Sequence, residues 1–374
     1  MIPTVEHLSY AFFVLILPKY ADIYGRRLIY SVAIVMAFIL YVLVFFMPNA
    51  TMMIILMFFF GICFAMLYTI GYVNLFESVP KKYVALVGAC FGVWDFSTPL
   101  LTSLYFVYIS KDWVYLGMFG CGLQFLSMIS LFLVQESPYF MISLNRFDQL
   151  SKHFGEVARR NGVDSFDVSP DQIRELKQDS KPNKETPPTM YFLRQRKILI
   201  NTIVMMCIWA VNAFNFNLMS FLVTTFKYQF ASAIASSTAD ILSQVIASIL
   251  FTVIALKKNY IGSYALSSLA GLGLLVWGIE HQDTYTFLVL ILFAKFGISL
   301  SCMLEYNGHT TVFPTLYAST ALGFCQFMSR FLSSFPSFVA DMDEPVPMIV
   351  FFTSTLFVFF ASFFLQVDQA NLNQ

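Results

Sequence analysis

Five ionisable residues stand within long apolar segments of this 374-residue chain. They are Asp95, Asp240, Lys295, Glu305 and Arg330. A charged side chain is costly in hydrocarbon, so such residues normally face a water-filled cavity or a partner of opposite charge. At 1.5 Å per residue, Lys295 and Arg330 lie roughly 14 to 15 Å from the same side of the membrane. Two cations at one depth predict a binding site for an anionic small molecule.

Arg330 is the residue that we expect to contact an anionic substrate most directly. The alternative is that it pairs with Asp95 or Glu305 and braces the helices. Asp95 itself is either a residue that exchanges a proton or the permanent partner of Lys295. Glu305 lies near the inner end of its segment, so we expect it to reach the cytoplasmic vestibule by snorkelling.

Aromatic residues could complete such a site, since they bind flat organic ions by stacking and by cation–π contact. With 43 Phe in the chain, packing in the core or against lipid is the default for any one ring. The candidate lining rings are Tyr68, Tyr72, Trp94, Phe214, Phe216 and Tyr306. The predicted substrate-binding set is Arg330, Lys295, Asp95, Tyr306, Trp94 and Phe214.

The elements that must position these residues are membrane-spanning helices. Hydrophobic residues make up 58% of the chain and charged residues only 12%. Apolar runs of about 17 to 25 residues recur, which is the length that crosses a bilayer as a helix with its own backbone hydrogen bonds satisfied. We therefore predict an all-α polytopic membrane protein with eleven spans. Their approximate ranges are 8–21, 28–47, 51–75, 84–108, 113–134, 198–223, 233–256, 260–279, 285–306, 314–339 and 346–366.

The 22 Lys and Arg residues fall mostly in every second loop. Basic residues in short loops are retained on the cytoplasmic side, so we expect a cytoplasmic C-terminus and an N-terminus across the membrane. The longest polar stretch, 135–197, is interpreted as a cytoplasmic linker with amphipathic helices over 146–160 and from about Pro170. It separates an N-terminal bundle of five spans, 1–134, from a C-terminal bundle of six spans, 198–374.

Several other functions are disfavoured by the sequence. It contains no GxxxxGKS/T phosphate loop, its four histidines lack ligand spacing, and its six cysteines lack CxxC spacing. The formal net charge is zero, and no basic surface indicates nucleic-acid binding. We predict no enzyme activity, no cofactor, no metal, no ATP and no nucleic-acid partner. The expected partners are a small organic ion and the lipid bilayer.

The stretch PKYADIYGRRLIY, residues 18–30, inserts charge between two apolar runs. Its candidate functional residues are Asp22, Gly25, Arg26 and Arg27. We expect the acid and the arginines to bridge the cytoplasmic ends of two helix pairs and so to close an inner gate. The alternative is that the arginines only set topology and contact lipid headgroups.

The acid followed by GRR resembles the signature loop of the major facilitator superfamily. The segment ESPYFMISLNRF from residue 136 is similar to the ESPRWL segment of the organic cation and anion transporter branch, and KDW at 111–113 fits its RDW. Residues 294–338 resemble the paired tenth and eleventh helices of that branch. By this alignment the chain begins at the family's second helix, and Glu77 and Glu136 match acids of the family's gate.

The resemblance implies two helical bundles that rock about a central site and expose it alternately to each side. It also implies that the residue at Arg330 is basic in anion carriers and acidic in cation carriers, and that Lys295 serves structure or coupling. A plasma membrane is the expected location. Four positions depart from the family by lacking its usual arginines, which weakens the inner latch. They are Ile23, Val84, Tyr139 and Ala318.

The expected function is transport of small organic ions, anions in preference to cations, by a secondary or facilitative carrier. One alternative is a non-transporting membrane scaffold or subunit that keeps the fold. A third reading is a sugar carrier, which would need intramembrane amide side chains. The available set is Asn212, Asn215, Asn217, Gln244 and Gln326.

Overall fold

The computed structural model describes residues 2–47, 49–80, 83–143, 146–162, 196–226, 228–282, 284–313 and 315–366. These residues are helical apart from turns, and none of them lies in a strand. The predicted all-α class is therefore confirmed. The linker helix expected from about Pro170 lies outside the described residues.

The first half of the described chain contains seven membrane-region helices and two short helices after them. A π-helical segment, Ala65–Gly71, joins α4 to α5 without a break. The first seven helices are α1 Ile2–Val14, α2 Leu17–Tyr24, α3 Arg26–Val44, α4 Ala50–Phe64, α5 Tyr72–Ser78, α6 Val84–Tyr108 and α7 Trp113–Ser130. They are followed by α8 Pro138–Ser143 and the amphipathic α9 Phe147–Arg160.

The second half begins after the undescribed part of the linker. A π-helical turn, Leu274–Gly278, extends the third of its helices. The helices are α10 Arg196–Thr225, α11 Gln229–Val253, α12 Leu256–Gly273, α13 Tyr285–Val312, α14 Thr315–Leu332, α15 Pro336–Ala340 and α16 Val346–Ser362.

Seven helices of the described chain are long and apolar enough to cross a membrane on their own, and α16 is apolar but has 17 residues. Two of the predicted spans are interrupted for a local reason. The first is divided by a turn at residues 15–16, and Pro18 follows as the second residue of α2. The tenth is divided by a turn at residues 333–335, directly before Pro336. Proline has no backbone N–H to donate, so it favours the start of a helix over its interior.

The two halves meet along two pairs of helices. In one pair α6 packs along α11, and in the other α1 packs along α14. The first contact is close because Gly92 faces Gln244, and a Cβ at Gly92 would lie 2.5 Å from the Gln244 side-chain oxygen. Small residues at such a crossing allow two membrane helices to approach each other. The cavity described below lies between these two seams.

Candidate substrate cavity and α3 cluster

A cavity of about 180 Å³ lies between the two halves. Its wall consists of residues from α5, α6, α10, α11, α13, α14 and the π-helical segment. Two of these helices each contribute five lining residues at spacings i, i+3, i+4, i+7 and i+8. This spacing places the five residues of each helix on one face, as a stripe. On α6 the stripe is Gly88, Phe91, Gly92, Asp95 and Phe96. On α10 it is Trp209, Asn212, Ala213, Phe216 and Asn217.

Arg330 lies on the cavity wall, in the last turn of α14. Its guanidinium carbon is 4.3 Å from the ring centroid of Tyr10, a cation–π contact between the two halves. Its Nε has no hydrogen-bond acceptor among the described residues. Within the same residues, no carboxylate oxygen lies within 4 Å of the guanidinium. The pairings of Arg330 with Asp95 or Glu305 considered from the sequence are therefore not formed.

Two carboxylates share the cavity with Arg330. Asp95 accepts a hydrogen bond of 2.9 Å from the hydroxyl of Tyr68. Glu305 is only 3% exposed, and its Oε1 has no hydrogen-bond partner among the described residues. The prediction that Glu305 snorkels to the cytoplasmic side is therefore wrong. The reason is that α13 continues to Val312, which leaves Glu305 about two turns inside the helix.

Aromatic pairs connect the two halves on the cavity wall. Tyr306 was predicted as a site residue. The centroid of its ring lies 4.9 Å from that of Tyr72 and 4.8 Å from that of Trp209. Phe96 and Phe216 make a second pair at 5.4 Å. All five rings line the cavity. Both polar and aromatic groups are thus available to a small organic molecule.

Lys295 is not brought to the cavity surface. Its ammonium lies 3.5 Å from Asp240 and donates to the carbonyl of Phe216 at 3.2 Å and to the hydroxyl of Ser220 at 3.1 Å. The side chain is 1% exposed, and the ammonium sits 3.3 Å from the centroid of the Phe216 ring. Asp240 also accepts a hydrogen bond from Ser299. Lys295 is therefore neutralised behind the wall, by Asp240 and not by Asp95.

Trp94 and Phe214 also lie away from the cavity. The Trp94 side chain is 73% exposed on the outside of the helices, and Phe214 packs against the apolar core of the second half. A helix turns by 100° per residue, so a neighbour of a cavity residue faces another direction. Trp94 precedes Asp95 and Phe214 follows Ala213, so both fall off the stripes that line the cavity.

The second predicted site lies at the start of α3, and we call it the α3 cluster. Its predicted members are Asp22, Gly25, Arg26, Arg27, Glu77 and Glu136. Glu136 accepts hydrogen bonds from the backbone N–H groups of Arg26 at 3.0 Å and Arg27 at 3.1 Å, so it caps the helix. The Arg26 guanidinium pairs with Glu77, which also accepts a bond of 2.5 Å from the Ser137 hydroxyl. These contacts join α3, the end of α5 and the segment before α8, all in the first half of the chain.

Gly25 and Asp22 complete the predicted cluster. Gly25 has φ of +104° and ψ of 146°, and a Cβ at this position would lie 2.5 Å from a Glu136 carboxylate oxygen. Both the backbone conformation and the space therefore require glycine. The backbone of Asp22 lies in α2, but its side chain lies outside the described part of the structure.

Residues 2–338 match the family model of the Major Facilitator Superfamily. The chain belongs to this superfamily. The resemblance noted from the sequence is thus confirmed, and the chain is a multi-pass integral membrane protein of a transporter family. Since members of the superfamily are transporters, the prediction that the chain is not an enzyme agrees with this membership.

Several curated proteins of the superfamily are similar in sequence. A putative transporter of Caenorhabditis elegans is 23% identical over 344 residues, 89% of this chain and 68% of the relative. Solute carrier family 22 member 2 of Rattus norvegicus is 27% identical over 190 residues, 50% of this chain and 33% of the relative. Organic cation/carnitine transporter 2 of Homo sapiens is 24% identical over 267 residues, 70% of this chain and 47% of the relative. The matches thus span less than half of the two mammalian proteins.

Solved structures of the superfamily show the same fold. The proton:xylose symporter XylE bound to 6-bromo-6-deoxy-D-glucose aligns with a TM-score of 0.74 at 14% identity, over 96% of this chain and 83% of that chain. The inward-open form of XylE from E. coli aligns with a TM-score of 0.72 at 15% identity, over 99% and 86%. At this identity the likeness concerns the fold alone.

Three features of the cavity are not evident from single residues. The pair Gly88 and Gly92 has the small-xxx-small spacing of close helix contacts, and this signal could have located the α6–α11 seam. The α10 stripe could have been found by its helical period, which would have put Trp209 in the predicted binding set in place of Phe214. Nothing in the sequence signals that Tyr10 would meet Arg330, since the two residues are far apart along the chain.

Proposed function

We propose that this protein carries small organic ions across the membrane, with anions preferred over cations. The observation that carries the proposal is the position of Arg330. Its guanidinium is on the cavity wall, rests on the ring of Tyr10 and has no carboxylate of the described residues within 4 Å. A cation in such a place needs an opposite charge, and an anionic substrate group can supply it through charge-assisted hydrogen bonds.

Alternating access is the transport mechanism that we propose. The cavity lies between the two halves, and the halves touch through the α6–α11 and α1–α14 seams. Rocking about these seams would open the cavity first to one side and then to the other. Because the sequence lacks a phosphate loop, we assign transport to a secondary or facilitative carrier.

We further propose that the C-terminus is cytoplasmic and that the carrier resides in the plasma membrane.

The aromatic residues of the cavity support an organic substrate. Tyr72, Trp209 and Tyr306 form one group of rings, and Phe96 and Phe216 form another. Flat or alkylated groups gain dispersion and stacking energy from such rings, of about 0.5–1.5 kcal/mol for each well-placed pair. The charge of the substrate would then fix its orientation relative to Arg330.

We propose that the α3 cluster supports the inner gate from within the first half, with Asp22 as a further member. Its described contacts hold α3 to α5 and to the segment before α8, so it stiffens one half instead of bridging both. A rigid half can rock as a body, which alternating access requires. The competing role for Arg26 and Arg27 is to fix topology and contact lipid headgroups.

An organic cation is the second candidate substrate, and Glu305 favours it. This carboxylate is on the cavity wall, and its Oε1 has no partner among the described residues. A sugar is less well supported. Asn212, Asn217 and Gln244 line the cavity, but Asn215 forms a hydrogen bond of 2.9 Å with Ser354 outside the lining.

Uptake into proteoliposomes tests the proposal. A panel of labelled organic anions, cations and sugars would be offered to the 374-residue chain and to its Arg330→Met and Glu305→Gln forms. Saturable anion uptake that falls at least tenfold in Arg330→Met supports the anion carrier. Cation uptake that depends on Glu305 would replace it with the second candidate. A well-folded protein that takes up nothing would favour the non-transporting scaffold.

A further inference from the structure

A second cavity lies beside the α3 cluster, at the end of the first half. It is an open cleft of about 660 Å³ between α9, the start of α3 and residues 135–141. We call it the α9 cleft and define it by its charged and titratable residues. They are Arg27, Glu136, Lys152, His153, Glu156 and Arg159.

The three strongly basic residues of the α9 cleft are available to a ligand. Lys152 and Arg159 are seven residues apart on α9, so they share one helix face, and Arg27 reaches the cleft from α3. All three side chains are exposed. Among the described residues none of their charged groups forms a hydrogen bond or an ion pair.

The two acids of the cleft are already engaged. Glu136 accepts hydrogen bonds from two backbone N–H groups at the start of α3, where the helix dipole favours a negative charge. Glu156 accepts a bond of 2.8 Å from the side-chain amide of Gln135. Among the described residues, the cleft therefore combines three unpaired cations with two carboxylates whose negative charge is partly offset by the hydrogen bonds that they accept. An anion is the ligand that this charge distribution favours.

The α9 cleft lies at the depth of the membrane surface. Arg27 is the second residue of α3, which crosses the membrane, so the cleft opens where lipid headgroups lie. The amphipathic helix α9 buries Phe147 and Leu150, together with Met141, and turns its basic face into the cleft. On the cytoplasmic side proposed above, anionic lipids attract basic groups near the surface, by about 1 kcal/mol per Lys or Arg.

We propose that the α9 cleft binds a phosphomonoester anion, supplied by the headgroup of a phosphorylated inositol lipid. Arg27 and Arg159 can each donate a pair of N–H groups to phosphate oxygens, and Lys152 adds a point charge. Partial burial lowers the pKa of His153 against the opposing effect of Glu156, so at neutral pH its neutral ring can still donate one N–H. A soluble inositol phosphate carries the same chemistry and is separated from the lipid by the test below.

Binding to the purified full-length chain in detergent tests this site. The probes are a fluorescent short-chain phosphatidylinositol 4,5-bisphosphate and free inositol 1,4,5-trisphosphate, each titrated by fluorescence anisotropy or competition. The test variant is Lys152→Gln with Arg159→Gln, which keeps the aliphatic contacts. The matched control is Arg160→Gln, because Arg160 is an exposed basic residue of the same helix outside the cleft lining.

We expect the double variant to weaken lipid binding at least tenfold and the Arg160→Gln control to change it less than twofold. Lipid that binds at least tenfold more tightly than the free headgroup supports the membrane source, and equal affinity assigns the cleft to a soluble phosphate. A control that loses as much binding free energy per removed charge as the double variant would overturn the site, because binding would then follow net charge alone. Wild-type affinity in the double variant would overturn it as well. Thermal unfolding of each variant checks that the fold is kept.

Discussion

The guanidinium of Arg330 lies 4.3 Å from the ring centroid of Tyr10, so a residue of one half contacts the cation on the cavity wall of the other half. Tyr10 is on α1 and Arg330 on α14, the two helices of one seam between the halves. Rocking of the halves would therefore change the environment of this cation. The contact links the proposed substrate group to the proposed motion.

Replacing Tyr10 should alter transport through this ring. We expect Tyr10→Leu to raise the half-saturating anion concentration several-fold. A cation–π contact contributes about 0.5 kcal/mol where it is exposed to water and about 2 kcal/mol where it is desolvated. Tyr10→Phe keeps the ring and should stay within about twofold of the wild-type value by the same reasoning. Uptake kinetics in proteoliposomes measure both. Equal defects in the two variants would show that the hydroxyl, and not the ring, positions Arg330.

The Lys295–Asp240 pair should be structural. Removing one partner leaves a buried charge without its counter-ion, so Lys295→Met or Asp240→Asn should destabilise the protein by about 3–5 kcal/mol. The double variant Lys295→Met with Asp240→Leu should recover most of that stability and retain uptake. Thermal unfolding in detergent and uptake assays give the two readouts. A Lys295→Met protein that is stable but inactive would instead make Lys295 a substrate contact.

Gly25→Ala should destabilise the start of α3. A side chain is strained at φ +104°, and the new Cβ would also meet the Glu136 carboxylate. The conformational strain alone costs about 1–3 kcal/mol. Gly162→Ala is the matched control, because Gly162 has φ +77° but no atom within 4 Å of its Cβ position. A loss of thermal stability no larger than in the control would remove the role assigned to the Glu136 contact.

Acid should loosen the packing of α9 through His153. Its pKa is lowered in the folded state by burial, with Glu156 opposing, while Lys152, Arg159 and Arg27 face the same cleft. The unfolded segment therefore binds a proton more readily, and stability present above a pH of about 6.5 is lost as the pH falls below it. Hydrogen exchange of α9 amides, corrected for intrinsic rates, should accelerate between pH 7.5 and 5. The acceleration should shrink in His153→Gln, and an unchanged acceleration would assign it to another group.

The sequence was sufficient for the fold because its signals are local and repeated. Apolar runs of spanning length predicted the helices, and the GRR and ESP segments indicated the superfamily that the comparison then showed. The contents of the cavity were harder to predict, since they depend on which face each helix turns inward. Asp95 and Tyr306 fall on such faces, whereas Trp94 and Phe214 do not.

Charge partners were the least predictable part. Lys295 had several acids at a comparable depth, and only the packing of α11 against α13 selects Asp240. The environment of Glu305 was predicted wrongly because its helix continues beyond the end of the apolar segment, to Val312. The contact of Arg330 with Tyr10 joins distant parts of the chain, and no periodic pattern encodes it.

Charge reversal at Arg330 tests whether this residue binds the anionic group of the substrate. The measurement is the ratio of labelled organic anion uptake to organic cation uptake in proteoliposomes, for the wild-type protein and for Arg330→Glu at matched amounts of folded protein. We expect the ratio to favour anions in the wild type and to fall at least tenfold in the variant. An anion uptake rate that survives the reversal unchanged would contradict the assignment of Arg330 to the substrate.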